Sequence, residues 1–354
     1  MQSNPVHFVD PSHLETFASQ VLQKLGLDPA DAQSAAQILV DADLHGIDTH
    51  GVINLKTNYA DGLARGVINP RPTYTVTSGS PTTKVLDADN GLGLLAAKAA
   101  MDQAIEMAAM QGCGFTTVNH SNHCGAGAYY VRMAARRGMV GIHFSSGGST
   151  VAAPGGKGKL IGNNVCAVAA PAGRLPAFVF DMAPTMTVAN RARMLGWDGR
   201  SMPPGWVIDD EGRPVTDPER YFDAGSAVLP LGGTVDGGAH KGFGLLMVSD
   251  ILTGMLSGDG GSMLREKGAE SHICGAMRVD AFVPMAIFES LMERMADTLH
   301  RAPSLEGDEA LRYPGEGSDR LYRERKSGGI PLHPRLVDEL RSLGTMHGVA
   351  WDVA

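Results

Sequence analysis

Thr83-Lys-Val-Leu-Asp87, running on into Asp89-Asn-Gly91-Leu-Gly93-Leu-Leu-Ala96, is the stretch on which the fold turns. A short apolar strand that meets two glycines and then a helix imitates the fingerprint of a Rossmann dinucleotide unit. The imitation breaks down in two places. Ala96 replaces the last glycine, and the next twenty-odd residues bring no acidic residue at the end of a second strand. A tight strand-to-helix turn explains these glycines without a phosphate, so a Rossmann site is rejected here.

Outward from this turn the texture stays the same. Ala96 to Met110 reads as an Ala/Met-rich helix, Phe115-Thr-Thr-Val-Asn119 as a strand and Ala126 to Arg137 as a helix. Val140-Gly-Ile-His-Phe144, Val165 to Ala170 and Phe178-Val-Phe180 are further strands. Strands alternating with helices predict an α/β sheet region. Before it, the first 66 residues read as helices. Ser12-x-x-Glu15 matches a capping box, Asp28-Pro29 starts a second helix that ends at Gly46, and Leu55, Tyr59 and Leu63 mark a third. His240 to Leu256 is a glycine-containing apolar helix, and a charged stretch from Asp297 to Lys326 precedes a last amphipathic helix near Leu336 to Leu343.

The 354 residues are 43% apolar and 19% charged, with a net charge of −8, which describes a folded chain that does not seek nucleic acid or an acidic membrane. The segment Met1 to His7 lacks the basic and apolar regions of a secretory signal, and no apolar run reaches membrane-spanning length. Four scattered cysteines without a CxxC pair suit free thiols in a reducing cytosol, so a cytoplasmic location is expected.

Chemistry-bearing groups gather on predicted loops. Asp43-Leu-His-Gly-Ile-Asp-Thr-His-Gly-Val52 ends a helix at glycine and presents Asp48, Thr49 and His50; it reads equally as a proton-transfer loop or as a capping turn. Asn119-His120-Ser-Asn122-His123-Cys124-Gly125 sits at a strand end, where ligands of α/β sheets commonly bind. His120, His123 and Cys124 also raise a zinc reading, but no second ligand pair follows and no metal is expected. The glycine-rich connection Ser145 to Asn164 is no P-loop, because Leu160 follows Lys159; by itself it reads as a long flexible hairpin loop. Asp181-Met-Ala-Pro-Thr185 follows a strand, and Ala239-His-Lys241-Gly opens a helix whose N-terminus suits an anion.

Together these segments resemble the malate/L-lactate dehydrogenase-like family of NAD(P)-dependent oxidoreductases, over nearly the whole chain. The likeness rests on Asp48-Thr-His-Gly51, Asn122-His-Cys-Gly125, Pro154-Gly-Gly156 with Gly162-Asn-Asn164, and Asp181-Met-Ala183. It continues through Pro230-Leu-Gly-Gly233 with His240-Lys-Gly-Phe-Gly244, and Tyr313-Pro-Gly-Glu316 before Gly329-Ile330. The resemblance implies a non-Rossmann, mixed α/β nicotinamide-binding domain (residues 76–316) packed on a helical domain formed by both termini (1–75 plus 317–354). It also implies a homodimer, NAD or NADP as cofactor, and a small carboxylate substrate: a 2-oxo or 2-hydroxy acid, or alternatively a cyclic imino acid such as Δ1-piperideine-2-carboxylate or Δ1-pyrroline-2-carboxylate.

By the same likeness His50 is the proton donor, with Thr49 and Asp181 as its relay and His123 as a second catalytic candidate that also contacts substrate. Ser146, Asp181, Met182, Ala183, His240, Lys241, Gly315, Glu316 and Gly317 are implied to line the cofactor. Three departures from the family pattern stand out. Asn54 occupies the usual Arg position four residues past His50, so either the substrate carboxylate is held elsewhere, with Lys56 as a candidate, or the substrate differs; Asn54 and Lys56 are both expected to bind substrate. Gly162-Asn-Asn-Val165 replaces Gly-Thr-Asn-Pro, and Ala189-Asn-Arg191 replaces Trp-Gly-Lys.

Overall fold

The computed structural model describes residues 6–265, 269–305 and 310–352. The chain starts with a strand β1 (His7–Val9), helices α1 (Pro11–Lys24) and α2 (Pro29–Leu44), and a short α3 (Asp61–Ala64). Next come β2 (Thr75–Ser80), β3 (Thr83–Asp87), α4 (Gly93–Gln111), β4 (Cys113–Ser121), α5 (Gly127–Ala135), β5 (Met139–Ser146), β6 (Cys166–Ala170) and β7 (Phe178–Met182). After α6 (Ala189–Trp197), three two-residue strands β8 (Val207–Ile208), β9 (Pro214–Val215) and β10 (Ala227–Val228) form a small separate sheet. The remainder is α7 (Ala239–Asp250), β11 (Glu270–Arg278), α8 (Met285–His300), α9 (Glu316–Gly328), β12 (Ile330–Leu332) and α10 (Pro334–His347).

The main sheet has seven strands in the order β2-β3-β4-β11-β5-β6-β7. Only β3 and β4 run parallel; all other pairs are antiparallel, so the fold is mixed α/β. Two Ala-rich helices, α4 and α5, press on one face, and their small side chains (Ala97, Ala100, Ala104, Ala134) are wholly buried against Leu86, Val118 and Ala167. A second core joins both ends of the chain: Leu14, Phe17, Leu22 and Leu39 pack with Leu336, Leu340 and Leu343, and β1 pairs antiparallel with β12. Residues 1–5 and 353–354, the ends of the expected helical domain, lie outside the described residues.

The turn that imitates a dinucleotide fingerprint owes its glycines to packing. A Cβ on Gly93 would lie 1.8 Å from the Asn122 carbonyl oxygen, and one on Gly91 would lie 2.6 Å from the Pro72 side chain. Asn122 in turn donates from Nδ2 to the carbonyls of Asn90 and Gly91, each at 3.0 Å. The turn is therefore clasped to the end of β4, and the strand-end loop that carries His123 is anchored to it.

Three local expectations need correction. Asp10, not Ser12, caps α1: its carboxylate accepts the Ser12 amide at 2.8 Å, because Pro11 begins the helix earlier. The third helix is not regular; Leu55–Ala60 forms wide π-type turns before α3. The connection from 145 to 164 is built into the fold rather than a loose hairpin. Val151 and Ile161 bridge each other and are fully buried, and Asn164 (φ +30°) is tied to Leu246 and Asp250 at 2.8 and 2.9 Å.

Candidate active site

The loop after α2 is held shut by a glycine. Asp43, fully enclosed, accepts the Val52 amide at 2.9 Å, and a Cβ on Gly51 would fall 1.9 Å from the same carboxylate. Only glycine lets the backbone pass there. Burial raises the Asp43 pKa well above the carboxylate range. Asp48 pairs with Arg325 of α9, so the loop is gripped from the far end of the chain. His50 is left on the wall of a cleft, its Nδ1 2.9 Å from the Thr49 hydroxyl.

His123 comes from the loop after β4 and stacks on His50, with ring centroids 5.8 Å apart and planes at 17°. Its Nδ1 lies 2.7 Å from the Tyr59 hydroxyl and accepts the Gly125 amide at 3.3 Å. An amide can only donate, so Nδ1 carries the lone pair and the ring proton sits on Nε2. The π-type turn aims Tyr59 inward, an example of irregular helix used at a site. Burial holds His50 down to about 4 and His123 to about 3, so both rings are neutral at pH 7.

Asp181, at the end of β7, accepts the Ala128 amide at 2.8 Å and thereby sits at the N-terminus of α5. Gly127 permits the approach, since a Cβ there would lie 2.9 Å from His143 and 3.3 Å from Asp181. Burial raises the Asp181 pKa to about 6. Asp181 has no direct bond to Thr49 or His50 among the described residues, so the expected relay is not continuous. Its carboxylate fixes α5 and one wall of the cleft.

His50 and Thr49 stand between two cavities. One, of about 260 Å³, is lined by Gly125, Ala126, Val165, Asp181, Met182 and Ala183; the other, of about 440 Å³, by His123, Asn54, Asn58, Asn163, Asn190 and Arg193. The first is a slot with short apolar walls beside a carboxylate, which suits a flat nicotinamide ring. Through Arg132, Val179 and Ser318 it adjoins a 200 Å³ recess reaching Arg136, Gly315 and Asp319. No helix among the described residues is long and apolar enough to cross a membrane.

The expected residues are only partly brought together. Ser146 is fully buried, its hydroxyl bonded to Thr253 at 2.8 Å and to Arg265, so it does not face the slot. His240 and Lys241 are exposed in the first turn of α7 and line neither cavity. Glu316 binds His300 at 2.8 Å and the Tyr313 amide at 3.0 Å, Gly317 is absent from both linings, and Ser318 takes the slot position instead. Lys56 turns to Asp61 at 3.2 Å, outside the larger cavity. The zinc trio does not converge: the half-exposed His120 pairs with Asp87, His123 faces the cleft, and Cys124 points into the core toward His143 at 3.6 Å. Cys124, His143 and His272 bring their donor atoms within 4.8 Å of one another. Tyr59, Asn58 and Arg193 escaped sequence reasoning as site residues, because no local motif marks them, whereas Asn190 lies in the Ala189-Asn-Arg191 departure.

The family model described as "Malate/L-lactate dehydrogenase" matches residues 9–341. The chain belongs to the malate/L-lactate dehydrogenase family. It is similar to a malate dehydrogenase of Pyrococcus abyssi, 35% identical over 96% of this chain and 95% of that protein. It is also similar to the ureidoglycolate dehydrogenase (NAD(+)) of Escherichia coli O157:H7, 30% identical over 90% of this chain and 91% of that protein. The crystal structure of malate dehydrogenase from Entamoeba histolytica superposes with a TM-score of 0.91 at 28% identity, covering 98% of this chain and 99% of that one. As a member of this family the chain is a nicotinamide-dependent oxidoreductase.

Proposed function

We propose that the protein interconverts a 2-oxo acid and its 2-hydroxy acid, with NAD or NADP in the slot beside Asp181 and the acid in the larger cavity. One observation carries the reading: His50 and Thr49 belong to the walls of both cavities, so a proton-handling group stands where the two ligands meet. When bound, the nicotinamide supplies or accepts the hydride. His123, with its proton held on Nε2 by Tyr59 and Gly125, donates a hydrogen bond to the substrate oxygen and steadies the charge that develops there. His50 delivers the proton. Neutral in the free enzyme, it gains proton affinity when an anionic acid enters, and the Thr49 hydroxyl then accepts Nδ1–H and leaves Nε2–H for the substrate.

The apolar side chains of Leu245, Val248, Ile251 and Met255 are exposed together on α7 and the turns after it, which supports a homodimer as the working form. The reading is tested by NADH and NADPH oxidation against a panel of 2-oxo acids and Δ1-piperideine-2-carboxylate, with the solution mass measured alongside. Turnover of a 2-oxo acid and a mass near twice 37.2 kDa are expected. Turnover of the cyclic imine alone assigns a different substrate, and a monomer removes the dimer.

A further inference from the structure

Asn54 is 2% exposed, and both ends of its amide are hydrogen-bonded within the fold. Nδ2 donates to the Thr49 carbonyl at 3.1 Å, while Oδ1 accepts from Asn58 at 3.1 Å and from Asn190 at 2.8 Å. Asn190 also donates to the Thr49 carbonyl at 2.8 Å. This amide net braces the residue next to His50, and that loop brings no Lys or Arg to the larger cavity. Histidines aside, the ionisable group lining that cavity is Arg193, from α6.

Arg193 is held ready for such a partner. Its Nη2 donates to both oxygens of Glu339, at 2.6 and 2.5 Å, and its guanidinium carbon rests 4.8 Å over the Trp197 ring. Glu339 belongs to α10 and does not line the cavity. Nε and Nη1 donate to no group among the described residues, and because the edges they share with Nη2 are turned to Glu339, the Nη1 amino group is the donor left for one charge-assisted hydrogen bond to a carboxylate in the cavity. Beside it, Oδ1 of Asn58 and Oδ1 of Asn190 accept nothing among the described residues, so each is open to an N–H or O–H donor. A cavity of about 440 Å³ also exceeds the need of a three-carbon acid.

We infer that Arg193 anchors the substrate carboxylate and that Asn58 and Asn190 select an acid whose tail carries hydroxyl or N–H donors. The inference rests on the proposed function and names the substrate class for that same site. Two matched pairs test it. Pyruvate and pyruvamide differ in the carboxylate alone; 4-hydroxy-2-oxobutyrate and 2-oxobutyrate differ in a single tail hydroxyl.

Wild type is expected to favour pyruvate over pyruvamide by roughly 100-fold in kcat/KM, and Arg193→Met to shrink that preference to within about tenfold. Arg193→Lys, which keeps the charge with a shorter reach, should restore part of it. A purely structural Arg193 would lower stability or activity on both compounds and leave their ratio unchanged. The hydroxylated acid should exceed its partner by at least about tenfold in wild type, and Asn58→Leu should reduce that margin. An unchanged pyruvate-to-pyruvamide ratio in Arg193→Met overturns the anchor, and equal use of the two butyrates overturns the tail selection. Failure of wild type to oxidise either nicotinamide with any of these acids overturns the proposed function and the inference together.

Discussion

Two pairs of histidines lie within this molecule, and they are near copies in geometry. His50 and His123 stack at 5.8 Å and 17°; His143 and His272 stack at 6.0 Å and 26°. Burial depresses all four, His50 to about 4 and the other three to about 3. A perturbed pKa therefore does not separate a working histidine from a structural one. What separates them is where the free ring nitrogen points. His143 spends both nitrogens on thiols, Cys124 at 3.6 Å and Cys274 at 3.4 Å, and His272 gives Nε2 to Ser121 and Asn122 at 3.1 Å, with neither ring exposed. The cleft pair is bonded on Nδ1 alone and stands on a cavity wall.

The most severe way to break this contrast is His50→Ala. Loss of a general acid is expected to lower kcat by roughly 1,000-fold, with nicotinamide binding (read by fluorescence quenching) retained. The pH profile adds a sign. Reduction needs protonated His50, so with a free-enzyme pKa of about 4, kcat/KM for reduction should fall as pH rises from 5 to 8. Oxidation of the hydroxy acid, which needs the neutral ring, should not share that fall. Near-normal kcat in His50→Ala would transfer the role to His123.

The core pair should respond in stability rather than in rate. His143→Leu leaves two thiols without their imidazole and is expected to cost about 2–4 kcal/mol, read as a lower Tm, with kcat within about threefold of wild type. The acid side sharpens the distinction. A buried histidine with a depressed pKa stays neutral in the fold and takes up a proton on unfolding, so its stabilisation is complete above the unfolded value of 6.5 and is lost as pH falls toward 3. Asp181 and Glu270, raised to about 6 and about 7, act in the opposite direction. The comparison between wild type and variant isolates His143: the Tm of His143→Leu should fall less steeply below pH 6.5. Parallel curves would mean that His143 is not held neutral by the fold.

The contrast between the two pairs also marks how far the sequence could be read. His50, His123 and Asp181 were legible because each follows a local signal, a helix-ending glycine or a strand end, that sets it on a loop. His143 sits inside a strand pattern, and the structure buries it between two thiols. One missed element, β11, depends on distant partners. β11 inserts between β4 and β5 and pairs Cys274 with His143 across 131 residues, a contact that no window of sequence contains. Arg193 reaches its cavity because α6 packs against the loop after α2, so its helix spacing says nothing of a ligand. The three departures from the family pattern lie far apart in sequence, yet Asn54, Asn163, Ala189 and Asn190 all line one cavity.

The gentlest test concerns what sets the cleft pair's tautomers, since the two rings differ in how firmly each is held. His123 has an amide and a phenol aimed at Nδ1, and an amide cannot reverse its role. His50 has one hydroxyl, Thr49 at 2.9 Å, which can donate or accept. That freedom is what a ring needs if it must be neutral before substrate enters and protonated afterwards. Removing it by Thr49→Ala leaves Nδ1 without its partner, so a share of molecules presents the wrong nitrogen to the substrate. The expected loss is about tenfold in kcat, with KM little changed, because the hydroxyl acts through His50 and not on the acid itself. Thr49→Ser should recover most of the rate, since it restores an oxygen at the same place, whereas Thr49→Val, which preserves shape without the hydroxyl, should resemble alanine. If valine were as active as wild type, packing of the Thr49 methyl would be what matters, and the tautomer of His50 would have to be set from the substrate side.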